Sequence, residues 1–306
     1  MPYPIAHFLW VCLIQFFLIS GLWLASNLTQ WPRSTNFLTG LLFGSLFFIP
    51  NIQNTIWGQF GTISVISLAL ILSALYKEKY ALAGIWSIGL TFKPQLMLLT
   101  LVFLLFWSLA NRSRWRFWLS FSLVALACWG IAEWLEPNWL ASFWQGLEAY
   151  SAHHHTVSVL RNLLDASHIF EALLILATFC VWIYQRRSRP DSPAFAGCLV
   201  LSLATWWLVV PVLGMMHLVA LPLALVLLFA HLKTYSPRFY GVGRVVFLIV
   251  YLLGLAGFLY GFSGPELYGL HIQLAELAYK LIAPILLILL AMPLVLKKDL
   301  PANPFQ

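Results

Sequence analysis

The sequence predicts an all-α, polytopic membrane helical bundle, and three observations carry that prediction. Hydrophobic residues make up 61% of the 306-residue chain and Asp, Glu, Lys and Arg only 9%, against roughly 25% charged in soluble domains. So few charges cannot coat a water-facing surface, which excludes a soluble enzyme, a disordered chain and a disulfide-stapled secreted domain. The apolar residues gather in runs, several of them close to the roughly 20 residues that a helix needs to cross a bilayer. The cations sit in short clusters between the runs, as the positive-inside rule expects. The net charge of +7 therefore gives no reason to expect nucleic acid, whose partners carry a basic face. The chain reads as a single integral membrane domain over residues 1–306.

Taken in order, the apolar runs are Ala6–Ser26, Phe37–Ile49, Thr62–Tyr76, Phe117–Leu135, Ile169–Tyr184, Ala194–Val210, His217–Leu232, Val245–Phe262 and Leu274–Leu296. A longer run between Tyr80 and Ala110 is interrupted by Lys93-Pro94. The basic clusters decide how that run is read. They are Lys77/Lys79, Arg112/Arg114/Arg116, Arg186/Arg187/Arg189, Lys233/Arg238/Arg244 and Lys297/Lys298. The last four fall on one side by counting runs. Lys77/Lys79 joins them only if Tyr80–Ala110 crosses twice, as a hairpin of two short spans with its turn at Lys93. This gives about 11 spans and a cytoplasmic C-terminus.

The opposite, outer face then carries the N-terminus, Asn51–Gly61, Phe92–Gln95, the loop 136–168 and two later turns. Within that loop Leu140, Phe143, Trp144, Leu147 and Tyr150 recur at near-helical spacing, which predicts an amphipathic helix on the outer leaflet. The N-terminus has no basic region or cleavage site of a signal peptide. Its outward position is unusual and suggests an upstream span missing from this chain. Cys12, Cys128, Cys180 and Cys198 lie inside apolar runs without CxxC spacing and read as small buried hydrophobes. Trp10, Trp57, Trp107, Trp134 and Trp139 stand near run ends, as an interfacial aromatic belt would place them.

Polar groups at membrane depth are costly, so each raises a functional question. Lys93 comes first: it ends an apolar run and precedes Pro94, which breaks one helix and starts the next. A lysine beside a fresh helix N-terminus suits an anion, phosphate above all; the competing reading is a lysine snorkelling to the interface. In Trp57-Gly58-Gln59-Phe60-Gly61, two glycines permit a tight turn and Gln59 can both donate and accept, although a turn that merely caps a helix fits as well. His217, within Pro211…Pro222, either binds a substrate hydroxyl or phosphate or closes a helix end. His153, His154 and His155 do not share one helix face, so no metal is expected there. They read as a solvated loop or as a substrate rim with Thr156, Ser158, Arg161 and Asn162. Arg161, as an outer arginine, is a candidate for phosphate or a lipid headgroup. Among the acids near the outer face, Glu133, Glu136, Glu148, Asp165, Glu266 and Glu276, none forms a DxD or a close pair, and no general base stands out.

Gly58-Gln59, the inner turn Lys77-Glu-Lys79, Ala83-Gly84 and Lys93-Pro94-Gln95 together resemble the core of glycosyltransferase family 87. Pro211…His217…Pro222 is a looser match, and the resemblance covers roughly residues 50–225. It implies a C-type glycosyltransferase fold in a bacterial inner (plasma) membrane. It also implies inverting transfer of a hexose, mannose-like, from a polyprenyl-phosphate donor to an envelope lipid or glycan acceptor on the outer face, with membrane lipids as surroundings and no metal or other cofactor. By that resemblance Lys93 would lie near the donor phosphate, with Gln95 beside it; Arg161 joins the phosphate candidates on residue type and outer position alone. By that resemblance Gln59 and His217 would line the sugar–phosphate pocket; His155 joins the substrate candidates only as part of the outer-loop rim. The family's catalytic acid sits in a first outer loop after an initial span, and both are missing here. The resemblance therefore implies an incomplete or inactive copy, or a different base, and names no catalytic residue. The alternative is a non-catalytic lipid-linked-sugar flippase or transporter-like protein, since broken helices with polar groups at membrane depth occur there too.

Overall fold

The computed structural model of the chain describes residues 3–29, 35–153, 158–164, 168–210, 214–260 and 276–296. Every regular element among them is helical. Helix α1 spans Tyr3–Leu28, α2 Thr35–Leu46, α3 Ile49–Ile56 and α4 Gly61–Tyr76. Helix α5, Tyr80–Ser87, runs on through a 3-10 turn at Ile88–Leu90, and α6 spans Pro94–Leu109. Helix α7 is Trp115–Leu135, α8 Trp139–His153, α9 Val159–Leu164, α10 His168–Gln185 and α11 Pro193–Val209. A 3-10 segment at Met215–Ala220 leads into α12, Leu221–Tyr235, followed by α13, Pro237–Tyr260. A π-helical turn at Leu277–Ile282 opens α14, Ala283–Val295.

Prolines set several of these boundaries. Pro50, Pro94, Pro193, Pro222 and Pro284 each stand in the first turn of their helices, where a missing N–H costs nothing and the fixed φ is already helical. Pro94 also bars its predecessor from helical backbone: Lys93 has φ −141° and ψ 79°. The chain must turn there.

A few contacts fix the directions. Trp10 Nε1 donates to Gly58 O at 3.0 Å, while Gly21 packs against Ile66, so α1 and α4 run parallel and α2–α3 return between them. Ser64 Oγ donates to Gly89 O at 3.3 Å, and the rings of Tyr80 and Trp107 lie 6.5 Å apart. These two contacts are at opposite ends, so α5 and α6 form the expected hairpin, with Lys93 at its tip. Thr178 Oγ1 and Thr205 Oγ1 share a hydrogen bond of 2.9 Å, and Trp182 Nε1 donates to Ser202 Oγ at 3.1 Å. Helices α10 and α11 are therefore antiparallel. Trp206 Nε1 donates to Pro94 O at 3.0 Å, which brings the end of α11 to the Lys93 turn. Gln185 Nε2 donates to the Val295 carbonyl at 2.6 Å, joining the ends of α10 and α14 at the other pole. Helix α11, apolar on every side, is buried along nearly its whole length, as the central helix of a bundle must be.

The chain is a helical membrane protein by its helices' length and composition, but the 11-span expectation is not met. Among the described residues, six helical stretches are long and apolar enough to cross: Tyr3–Leu28, Arg112–Leu135, His168–Gln185, Met215–Tyr235, Pro237–Ala256 and Leu277–Val295. Gly61–Tyr76, Tyr80–Leu90, Leu96–Leu109 and Pro193–Val209 are apolar but shorter. At ~1.5 Å per residue these cover only about 16 to 26 Å, less than the roughly 30 Å hydrocarbon core. The predicted run Phe37–Ile49 is likewise divided between α2 and α3. Sequence runs mark where helices lie; breaks at proline and glycine decide how far each one reaches.

Two smaller expectations change. Trp107 is fully buried rather than interfacial. Of the cysteines only Cys198 is buried, and Cys12, Cys128 and Cys180 face outward. Protein interior and lipid satisfy a thiol equally, so an apolar run does not reveal which of the two surrounds it. The amphipathic segment is helical, as α8, and Leu140, Phe143 and Trp144 are exposed, leaving its apolar face for lipid.

Candidate functional site

The site grows from the Schellman turn that ends α3. Gly58 N donates to Thr55 O at 3.0 Å and Gln59 N to Asn54 O at 2.8 Å. Gly58 takes the left-handed conformation, φ +58°, that this motif requires and glycine allows. The turn throws Gln59 across to the tip of the α5–α6 hairpin. There Lys93 Nζ donates to Gln59 Oε1 at 2.5 Å, with Lys93 only 8% exposed. None of the ion pairs among the described residues involves Lys93.

Four elements meet beside this pair, at Gly61. A Cβ added there would lie 2.7 Å from Asn54 Oδ1 of α3, 2.8 Å from Val219 Cγ1 of the 3-10 segment and 3.4 Å from Leu96 Cδ1 of α6. The first turn of α4 thus touches the first turn of α6. Neither helix has a side-chain cap at its N-terminus, so two positive dipole ends converge next to one ammonium. Anions are stabilised by such an arrangement.

His217 stands on the 3-10 segment packed against α3 and α4. Its Nδ1 accepts from Gly214 N at 3.0 Å, while its own N–H donates to Gly214 O at 2.9 Å. The histidine therefore does close a helical start. Gln95 is the second residue of α6. His155 lies outside the described residues.

Arg161 belongs to a separate cluster. Its Nε donates to Glu171 Oε1 at 3.0 Å, its NH1 lies 3.1 Å from His168 Nε2, and Ser158 Oγ donates to the same Glu171 oxygen. His168 Nδ1 lies 3.5 Å from Glu171 Oε2. The guanidinium is thus committed to a carboxylate that the sequence reading did not single out. Its position in the first turn of α10, three residues after His168, was the available signal: a carboxylate there complements the helix N-terminus. Of the acids near the outer face, Glu133 accepts from Asn138 N at 2.9 Å and Glu276 pairs with Lys280 at 2.6 Å. Asp165 and Glu266 lie outside the described residues. Among the described residues no group of three His, Cys, Asp or Glu side chains is arranged to hold a metal.

The sequence reading missed Asn51 and Asn54. Asn51 Nδ2 donates to Gln15 Oε1 at 3.0 Å and Gln15 Nε2 to Thr55 Oγ1 at 2.6 Å, pinning α3 to α1. Asn54 is fully buried, and neither its carboxamide oxygen nor its nitrogen has a hydrogen-bond partner. The i, i+3 spacing of two asparagines just after a helix-starting proline was the signal, since it sets both amides on one side of a short helix.

The opposite end of the bundle is built differently. Arg114 stacks over the Trp107 ring at 3.7 Å and donates to the carbonyls of Trp107, Arg186 and Ser188 at 3.2, 3.4 and 3.3 Å. This knot brings two of the basic clusters together, and the Tyr80–Trp107 contact places the Lys77/Lys79 turn beside them. From Trp107 to Lys93 the α6 axis runs about 21 Å at ~1.5 Å per residue. That length is shorter than the roughly 30 Å of a hydrocarbon core. No family model, curated protein or solved structure matches this chain.

Proposed function

We propose that this chain is a membrane hexosyltransferase of the C-type glycosyltransferase kind. It would use a polyprenyl-phosphate sugar as donor and an envelope lipid or glycan as acceptor, with the basic end of the bundle in the cytoplasm and Lys93 toward the outer leaflet of the plasma membrane. One observation carries the reading: a buried ammonium, held by a neutral amide at 2.5 Å, stands where two uncapped helix N-termini meet. A phosphate is the group that would satisfy all three.

In such a transfer the acceptor oxygen attacks the anomeric carbon, the carbon–oxygen bond to the phosphate breaks, and the phosphate leaves with the electron pair. Lys93 and the two dipole ends would stabilise that departing charge, an interaction stronger in the transition state than before it. The acceptor's proton needs a base that the Lys93–Gln59 pair does not supply. A second reading, a non-catalytic binder or flippase of lipid-linked sugars, draws its support from that same observation, because no described ion pair brings a carboxylate to Lys93.

The test uses the full chain in nanodiscs with radiolabelled polyprenyl-phosphate-mannose. Release or transfer of labelled mannose that Lys93→Ala abolishes supports the transferase. Donor binding lost in Lys93→Ala, with no turnover by the unaltered protein, selects the binder. Binding and turnover both unchanged by Lys93→Ala remove Lys93 from the site.

A further inference from the structure

Resting on the phosphate reading of Lys93, we infer that Asn54 is the hydroxyl-reading residue of the site, and that it discriminates a sugar-bearing polyprenyl phosphate from a bare one. The starting point is a deficit. Asn54 is fully buried, yet its carboxamide makes no hydrogen bond through either atom. Buried polar groups are nearly always partnered, and an orphan buried amide signals an absent partner. Asn54 is not alone. Thr62 Oγ1, Thr100 Oγ1 and Trp207 Nε1 are also buried and unpartnered.

Thr62 and Thr100 stand close to the Gly61 junction by chain position, whereas Arg114 Nε and Ser188 Oγ are buried and unpartnered at the basic pole. Thr62 follows Gly61, whose Cα faces Asn54 Oδ1. Leu96 faces the same point, and Thr100 is one helical turn further along that face of α6. The set of Asn54, Thr62 and Thr100 mixes donors and acceptors and carries no charge. That chemistry excludes a bare cation or anion as its occupant and fits a polyhydroxylated group, each hydroxyl of which gives and takes one bond.

The position fits as well. Gln59 ties the two subsites together: its side chain accepts from Lys93, and its backbone N–H donates to Asn54 O at 2.8 Å. That second bond is to the Asn54 backbone carbonyl, and on this proposal a sugar carried on a phosphate at Lys93 crosses this turn to the Asn54 carboxamide. Sites built to hydrogen-bond a hydroxyl reject ligands that lack it, because their own polar groups are left unpaired.

The experiment measures Kd for polyprenyl phosphate and for polyprenyl-phosphate-mannose on the full chain in nanodiscs, with Tm of the ligand-free protein beside it. The unaltered protein should prefer the mannosylated lipid. Asn54→Leu, similar in volume but apolar, should lower that preference by about tenfold or more while leaving the Kd for the bare lipid unchanged. Its ligand-free Tm should stay level or rise, because an orphan amide has been removed. Asn54→Ala, which opens space rather than filling it, should lose the preference in the same way. A preference kept in both variants overturns the proposal, as does a fall in Tm for Asn54→Leu, which would show the amide holding a structural water. The underlying reading fails separately: Lys93→Ala leaving the bare-lipid Kd unchanged would remove the phosphate from this site. An unaltered protein that binds neither lipid overturns both.

Discussion

The two ends of the bundle hold their buried cations in opposite ways. At the basic end, the two terminal nitrogens of Arg114 donate to three carbonyls and its face lies on an indole, while its Nε is buried without a hydrogen-bond partner. Two of those carbonyls belong to the Arg186–Ser188 turn, and the third closes the end of α6, where carbonyls lack helical partners. At the other end Lys93 has one neutral partner, Gln59, and the amide of Asn54 nearby has none. A cation tied by several bonds to separate segments acts as a fastener. One with incomplete neighbours costs stability in the ligand-free protein, and such strain collects at binding sites.

Substitutions can break this contrast or sharpen it. Lys93→Ala should have the largest effect, weakening donor binding about 1,000-fold, or ~4 kcal/mol, as expected when a desolvated charge loses its counterpart. Its ligand-free Tm should not fall, and a protein that loses Tm together with binding would make Lys93 a fastener too. Arg114→Ala should do the reverse. Three acceptors lose a charged donor, and stability drops by about 3 kcal/mol, read as the midpoint of reversible denaturation in detergent, with lipid affinity of the folded fraction unchanged.

Gly84→Ala comes next. A Cβ there would lie 2.2 Å from both Phe117 O and Ser120 Oγ, so α5 and α7 must part, costing about 2 kcal/mol. The hairpin would shift with α5. A measurable loss of donor affinity alongside the lower midpoint would show that the close α5–α7 packing holds Lys93 in place. Glu171→Gln is the mildest, at about 1 kcal/mol. It frees Arg161, and hydrogen exchange should speed up over residues 158–164 while donor binding stays unchanged. A drop in donor binding there would join the Arg161 cluster to the Lys93 site.

Much of the architecture was legible beforehand because it depends on local chemistry. Lys93-Pro94 turns the chain, since proline forbids helix at its predecessor, and the hairpin from Tyr80 to Ala110 follows. Gly58 ends α3 because the Schellman turn wants a left-handed residue. The glycine of Ala83-Gly84 was visible as a motif, but its reason, the approach of α7, was not. The number of full spans was misjudged because hydrophobicity records where a helix is apolar and not how deep it reaches.

The sequence by itself determined that this is a helical membrane protein, where its helices lie, and that Lys93 marks a break between two of them. Those features follow from composition and from backbone rules acting within a few residues. Only the tertiary structure decided that Gln59 is Lys93's partner, that Arg161 belongs to Glu171, and that Asn54 is buried with nothing to bond. Such pairings join residues tens of positions apart. They depend on which helix faces meet, and in a chain apolar on nearly every side the pattern of hydrophobic residues carries little record of that choice.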